Sequence, residues 1–378
     1  MTTEFEWIAA GDSVLAGGAR LIELGLGRMP VRDAAGAFVG MLTLRDVVRV
    51  VTRGDDPARV TAGDVADSGI PTVDVDESLE QALARLAAAG GGRLPLVDGP
   101  KLVGVISKAE VDTYRRTLAE LGPAAEELVE DISPDDQMHE LGRPSYLWTG
   151  VAALQPIRLA LAAAGRDSVD SLLDFGSGHG RVLRALKAAF PDARLTACDL
   201  DPDAVDFCAR TFGASPVYSN VDPARIRIDD RFDLIWSGSL FTHIDAPRWP
   251  GFLERLASLL APGGVLVFTT AGRGVAAEMR EGAGEHVFTP SGRSVAAEMR
   301  EGEYRGLTAD LARGLLQDFD RTGFGYRDYP GQTGYGHSRA APSWVCGQVE
   351  GTSGIELLGY TERGWNGRQD TVACIRRE

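Results

Sequence analysis

A pattern that occurs twice in one chain restricts the fold more than any single motif, because both copies must adopt the same local structure. Arg28-Met29-Pro30-Val31-Arg32-Asp33 returns sixty-five residues later as Arg93-Leu94-Pro95-Leu96-Val97-Asp98. Gly40-Met41-Leu42-Thr43-Leu44-Arg45-Asp46 likewise returns as Gly104-Val105-Ile106-Ser107-Lys108-Ala109-Glu110. Each copy follows a helical run, 19–26 and then 79–88, with apolar residues three and four apart. Each unit therefore reads as helix, short strand, turn (Ala35-Gly36 or Gly99-Pro100), short strand and second helix. Neither copy carries enough apolar surface to close a core alone, so the two are expected to pack together.

The doubled pattern of Pro-Val-x-Asp, a turn and Gly-x-x-Thr/Ser-x-x-Asp/Glu resembles a tandem pair of CBS domains, the regulatory Bateman module, over about residues 4 to 116. The resemblance implies an α+β module, here 1–117, that binds an adenosyl ligand such as AMP, ATP or S-adenosylmethionine between its repeats. Thr43 and Asp46 match the family's hydroxyl and ribose positions, and a carboxylate facing a vicinal diol suits that task. In the second copy Ser107 is kept, but Glu110 replaces the aspartate with a longer side chain. The alternative is a pair that only dimerises. Tandem CBS pairs usually associate, so a homodimer is expected.

The stretch 118–145 holds Glu120, Glu126, Glu127, Glu130, Asp131, Asp135 and Asp136, interrupted by Pro123 and Pro134. A like-charged run of this kind is usually solvated, so it reads as an acidic linker. A helix is expected through Val129, stopping before Pro134. A further helix opens at Tyr146-Leu147-Trp148 and ends near Ala164.

From residue 169 onward strands and helices alternate, the pattern of a parallel sheet covered on both faces. The expected strands are 169–175, 194–198, 216–218, 232–237 and 265–270, with helices at 182–190, from Pro202 to about Phe212, and 247–260. Two last strands, 355–361 and 371–376, flank a Gly364/Asn366/Gly367 turn and read as a hairpin closing the sheet edge. The first strand runs into Gly176-Ser177-Gly178-His179-Gly180-Arg181, and Asp199 ends the second strand nineteen residues past Gly180. In doubly wound sheets that is where an acidic residue meets a nucleotide ribose. A dinucleotide site would prefer G-x-G-x-x-G. Here Arg181 stands in the place of the third glycine, which counts against NAD. A competing local role for Asp199 is to cap the helix that Pro202 opens.

Together, Leu173-Asp174-Phe175-Gly176-Ser177-Gly178-His179-Gly180, Cys198-Asp199-Leu200-Asp201, Phe232-Asp233-Leu234-Ile235 and Leu260-Ala261-Pro262-Gly263-Gly264 resemble class I S-adenosylmethionine-dependent methyltransferases over about 145 to 378. The resemblance implies a Rossmann-like, seven-stranded α/β sheet over 146–378. It also implies cofactor contacts. Asp174, Phe175, Gly176, Ser177, Gly178 and Gly180 would hold the methionine portion, Asp199 the ribose, and Leu200 and Asn220 the adenine, with Ser237 beside them at the end of the fourth strand.

Methyl transfer is an in-line displacement at an activated carbon, so alignment and water exclusion dominate. A base helps where the acceptor is a hydroxyl or amine. His243, in Ser237-Gly238-Ser239-Leu240-Phe241-Thr242-His243-Ile244, is a candidate base, and a histidine bonded to backbone at a helix start is the alternative. His337, in Gly334-Tyr335-Gly336-His337-Ser338, is a second candidate, with Trp344 and Trp365 as pocket walls or as packing. Residues 268–287 and 288–307 are near-copies; one should be surplus surface without chemistry.

A formal net charge of −15 excludes nonspecific grip on nucleic acid or anionic membrane. The absence of an Asn-Pro-Pro-Tyr-like element after the fourth strand points away from a nucleobase target. The four scattered cysteines give neither a zinc ribbon nor a disulfide framework, and no metal is expected. The start lacks a basic-then-apolar leader and no apolar run spans a bilayer, so a cytoplasmic protein is expected. The expected function is S-adenosylmethionine-dependent methyl transfer to a small-molecule or sugar-like acceptor, modulated by the CBS pair. The alternative is a non-catalytic adenosyl-ligand sensor.

Overall fold

The computed structural model describes residues 6–377 except 75, 76, 78, 90–92, 137, 139–142 and 283–306. It divides into two compact units, residues 1–116 with 138–145, and residues 117–137 with 146–378. The stretch read as a linker is thus shared between them.

The first unit carries the doubled motif as two copies of one topology. Copy one has β1 (Ile8–Ala9), α1 (Val14–Glu23), β2 (Arg28–Arg32), β3 (Phe38–Thr43), α2 (Leu44–Thr52) and α3 (Ala62–Val65). Copy two has β4 (Val73–Asp74), α4 (Leu79–Ala88), β5 (Arg93–Asp98), β6 (Lys101–Ser107) and α5 (Lys108–Leu121). In each sheet a parallel pair adjoins an antiparallel hairpin, and the repeated prolines take equivalent registers, Pro30 opposite Met41 and Pro95 opposite Val105. Neither copy was expected to close a core alone, yet each builds its own apolar cluster. One gathers Ile8, Leu21, Met29, Val31 and Leu42; the other gathers Val73, Leu86, Leu94, Leu96, Ile106 and Val111. The hairpin turns are joined by backbone bonds from Phe38 N to Pro100 O and from Leu102 N to Gly36 O, both 3.0 Å.

The helix expected to run through Val129 ends at Leu121, because Gly122 takes φ 58° and Pro123 follows. Beyond it come α6 (Arg143–Val151), α7 (Leu154–Ala163), β7 (Ser171–Phe175), α8 (Leu183–Ala189), β8 (Arg194–Asp199), α9 (Pro202–Phe212), β9 (Ser215–Tyr218) and β10 (Phe232–Ser237). They are followed by α10 (Trp249–Leu259), β11 (Leu260–Thr270) and α11 (Arg273–Gly282). The second half of the duplicated segment falls on residues outside the described set. The chain resumes with α12 (Ala309–Thr322), β12 (Phe324–Tyr329), β13 (Gln332–Ala340), α13 (Pro342–Glu350), β14 (Glu356–Trp365) and β15 (Gln369–Ile375).

Seven strands form one sheet in the order β14-β15-β11-β10-β7-β8-β9. The five strands β7 to β11 are parallel, and β15 runs antiparallel between β11 and β14. The order reverses at β7, with β8 on one side and β10 on the other, so the C-terminal ends of these three strands define the crevice where ligands bind in such sheets. The wholly buried strand Ser171–Phe175 is the near-continuous apolar run that a central parallel strand requires. Beneath the crevice Phe175, Ile235, Trp249, Phe252, Leu256, Leu266 and Phe268 form the main apolar cluster. The hairpin β12–β13, a separate two-stranded sheet, was not expected from the sequence.

Candidate functional site

The loop after β7 is shaped by three glycines in the left-handed region, with φ 82° at Gly176, 49° at Gly178 and 76° at Gly180. L-residues rarely adopt this conformation, so the pattern Gly-x-Gly-x-Gly is a backbone requirement. Around Gly178 there is open space where a side chain would stand, whereas a Cβ on Gly180 would meet Phe212 Cε2 at 2.3 Å. Gly180 thus provides the close approach to α9 that dinucleotide folds obtain from a glycine one position later. Gly176 N and Ser177 N donate to Cys198 O at 2.7 and 3.1 Å, which ties the loop to the tip of β8.

Asp199 ends that strand. Its Oδ2 accepts Gly178 N at 2.7 Å and its Oδ1 accepts Asp201 N at 3.0 Å. The helix cap that competed for Asp199 is supplied by Asp201, whose side chain accepts from Asp203 N and Ala204 N. Among the described residues Asp199 is held by the backbone N–H groups of Gly178 and Asp201, and each of its oxygens keeps a further lone pair. Leu200, beside it, is half exposed at 53%. Asn220 Oδ1 accepts Asp222 N at 3.0 Å, so part of its amide is spent on a turn.

Among the described residues, Asp174 Oδ2 on β7 and Ser237 Oγ on the neighbouring β10 are buried oxygens at this end of the sheet without a partner. Burial first, and then the charge of Asp199, push the Asp174 carboxyl up to about 8, with Arg181 pulling the other way. A backbone hydrogen bond from Leu183 also pulls it down, but the buried Oδ2 left without a partner is costly unless something polar or cationic meets it. These groups fit a ligand with an ammonium and a vicinal diol.

Behind the loop, Arg184 is fully buried. Its Nε donates to Gly180 O at 3.2 Å and its Nη1 to Val129 O and Asp131 O at 2.7 and 2.9 Å. Tyr146 donates to Asp136 Oδ2 at 2.6 Å, and its ring lies beneath the Arg184 guanidinium. The acidic stretch therefore braces the glycine loop through its backbone carbonyls.

Past β10, Ser239 takes φ 65°, an unusual conformation for serine, and its N donates to Thr269 Oγ1. Gln369 Nε2 reaches Ser239 Oγ at 2.9 Å and Thr269 Oγ1 reaches Gln369 Oε1 at 2.6 Å, so three strand ends are tied together. His243 follows. Its Nδ1 lies 2.9 Å from Gly336 O and 3.0 Å from Tyr329 Oη. His337 is buried on β13, not in a loop, with its ring 4.6 Å from that of Tyr329. Of the two roles expected for Trp344 and Trp365, the structure shows the packing one. Trp344 packs on Trp249 and Phe324, and Trp365 packs on Trp236 with its Nε1 donating to Thr149 O. Tyr329, Tyr335 and Gly336 were missed in the sequence. Pro330-Gly331 between two alternating runs was the available hairpin signal.

In the first unit, Thr43 and Asp46 form a capping box on α2. Thr43 N donates to Asp46 Oδ2 at 2.9 Å, Asp46 N donates to Thr43 Oγ1 at 3.3 Å, and Arg49 Nη1 donates to Asp46 Oδ1 at 2.9 Å. Both line a cavity of about 510 Å³ together with Arg28, Arg45, Arg49 and Asp67. Ser107 holds the corresponding place at the end of β6, while the Glu110 side chain lies outside the described set.

Among the described residues no group of three or more His, Cys, Asp or Glu is placed to hold a metal, and no helix is long and apolar enough to cross a membrane.

The CBS domain family matches residues 1–53 and 62–115, and a methyltransferase domain family matches residues 173–266. A malonyl-[acyl-carrier protein] O-methyltransferase of Acetivibrio thermocellus is 29% identical over 109 residues, 29% of this chain and 38% of that protein. Hypoxic response protein 1 of Mycobacterium tuberculosis is 29% identical over 119 residues, 29% of this chain and 83% of that protein. A crystal structure of hypoxic response protein I with two coordinated zinc ions is 26% identical, with a TM-score of 0.27, covering 29% of this chain and 89% of that one. The chain spans well under half the length of the methyltransferase relative. The glycine loop and the tip of β8 fall inside the matched methyltransferase segment, and both capping-box residues fall inside the matched CBS segment, so the chain contains a stretch similar to a tandem CBS pair followed by one similar to a methyltransferase domain.

Proposed function

We propose that the chain transfers a methyl group from S-adenosylmethionine to a small-molecule or sugar-like acceptor, and that the CBS pair modulates its activity or assembly. The observation that carries the reading is the pairing of a thrice left-handed glycine loop with Asp199, whose carboxylate is held by the backbone N–H groups of Gly178 and Asp201, beside Asp174 Oδ2, unpartnered among the described residues. In this reading Asp174 meets the ammonium of the methionine portion, and a cation there favours the ionised carboxylate. Phe175, Gly176, Ser177, Gly178 and Gly180 supply the backbone wall, and Ser237 Oγ a hydroxyl at its floor. Asp199 accepts the ribose hydroxyls, Leu200 packs on the adenine, and Asn220 contributes its remaining acceptor capacity. The cofactor, when bound, supplies a methyl group on a cationic sulfur. His243 stands beyond the end of β10 as a candidate proton acceptor, with His337 behind Tyr329.

The arginine-lined cavity beside Thr43 and Asp46 suits a phosphate-bearing adenosyl ligand such as AMP or ATP. A homodimer through this module is supported by adjoining exposed apolar stripes, Leu15 and Ile22 on α1 and Leu44, Val48 and Val51 on α2.

Calorimetric titration of the full chain with S-adenosylmethionine, and separately with AMP and ATP, tests the reading. Saturable heat with S-adenosylmethionine and transfer of tritiated methyl to an extract component are expected. Binding without labelled product would favour a ligand sensor. Absence of binding would remove the enzymatic reading.

A further inference from the structure

We propose that Gly336 and Tyr329, on the inserted β12–β13 hairpin, hold His243 as the tautomer whose Nε2 is basic, and that the methyl acceptor is therefore a hydroxyl or amine that must lose a proton. The acceptor class rests on the methyl-transfer reading; the tautomer does not.

A backbone carbonyl can only accept, so Nδ1 at 2.9 Å from Gly336 O must carry a hydrogen. The phenol oxygen of Tyr329 lies 3.0 Å from the same nitrogen and then also acts as an acceptor. Two oxygens converge on Nδ1, so its proton stays in both the neutral and the cationic ring, and proton exchange falls to Nε2. This is the arrangement by which a base is oriented by a third group.

The hairpin is fixed in this position by its backbone. Gly336 N donates to His243 O at 2.9 Å, Ile244 pairs with Tyr335, and Ser338 Oγ donates to Phe241 O at 2.8 Å. Arg248 Nη1 donates to Gly334 O at 2.5 Å. Gly336 has to be glycine, because a Cβ there would meet Arg327 O at 2.0 Å. The rings of Tyr335 and Tyr329 lie 5.1 and 5.7 Å from that of His243. Burial, and after it the charge of Asp199, raise the Tyr335 phenol, so the cluster lies within electrostatic reach of the glycine-loop crevice.

A carboxylate acceptor is already ionised near neutrality and has no use for such a base, whereas a hydroxyl or amine has. In the step, the acceptor X–H gives its proton to His243 Nε2 as the X–CH3 bond forms. The methyl C–S bond breaks, its electron pair stays on sulfur as a neutral thioether, and the imidazolium later releases the proton to water. Tyr329 and Gly336 act through His243 and are positioning residues.

Two measurements on the full chain decide the matter. Two-bond ¹⁵N–¹H spectra of histidine-labelled protein, with His243 assigned by its loss in H243N, are expected to show the Nδ1–H tautomer. An Nε2–H pattern overturns the tautomer. Tritiated methyl transfer to a cell extract is expected to give label that survives alkali, as ethers and methylamines do. Label released as methanol, the behaviour of methyl esters, overturns the acceptor class. Y329F should slow transfer five- to tenfold with unchanged S-adenosylmethionine affinity and a shifted His243 tautomer ratio; an unchanged rate and ratio would remove Tyr329 from the proposal. Cofactor binding without any labelled product defeats the methyl-transfer reading and the acceptor class together, and the spectra then decide the tautomer alone.

Discussion

Asp46 in the first unit and Asp199 in the second are both carboxylates at a strand-to-helix junction, and family resemblance assigns a ribose to each. Their surroundings differ. Asp46 Oδ2 closes a capping box with Thr43 and its Oδ1 takes Arg49, so the helix it begins already uses it. Asp199 begins no helix, since Asp201 caps α9, and its two bonds come from Gly178 N and Asp201 N. One carboxylate is part of its own secondary structure, and the other is presented at the end of a strand by a loop from the next strand over. A motif that matches a binding position can therefore be satisfied locally. Only the partners reveal which case applies.

Four experiments test this contrast. Gly180→Ala forces a left-handed alanine and drives a methyl into Phe212 and Cys208, so it should lower stability by about 3 kcal/mol. Chemical denaturation of the full chain checks this, and a wild-type midpoint would mean the loop is not rigid. Asp199→Ala should weaken S-adenosylmethionine binding by about 1–3 kcal/mol, read by calorimetry, because charge-assisted bonds are lost. Asp46→Ala should destabilise the first unit by about 1–2 kcal/mol with or without nucleotide, since it removes a cap. If thermal unfolding of that variant is unchanged while AMP binding disappears, Asp46 is the ligand residue and the contrast is wrong.

The smallest effect concerns Asp174. Its carboxyl is raised from its ordinary 3.8 to about 8, so the folded protein holds a proton that the unfolded chain has released. The unfolded state binds fewer protons in that window, hence stability from this group is full below about pH 4 and is lost as pH rises towards 8. A cationic ligand favours the ionised form, so S-adenosylmethionine should bind with proton release at pH 7. Its affinity should rise with pH by less than tenfold per unit below 8. Titrations in buffers of differing ionisation enthalpy detect the proton, and no release would mean Asp174 does not meet the ammonium.

Much of the molecule was legible because its signals are local. The doubled Pro-x-x-Asp pattern dictates two equal hairpins, and Gly176-x-Gly178-x-Gly180 dictates a left-handed loop after a buried strand. The β14–β15 hairpin followed from its glycine and asparagine turn. The expectation of a helix through Val129 failed against Gly122, and the β12–β13 hairpin was missed because its one local signal, Pro330-Gly331, was not read as a turn between two alternating runs. Trp344 and Trp365 gave no sign of which way they face; Trp365 is buried, and Trp344 packs half-buried against the main apolar cluster.

The chain order of strands, glycines and acids determined two repeated hairpin units ahead of a doubly wound sheet, since backbone conformation and apolar periodicity are properties of neighbouring residues. Which groups meet was decided only in three dimensions. Ninety-three residues separate His243 from Gly336 and fifty-five separate Arg184 from Val129. No local preference encodes such pairs. They form when strands of one sheet and the hairpin above it bring distant hydrogen-bonding groups together out of water, where each must find a partner.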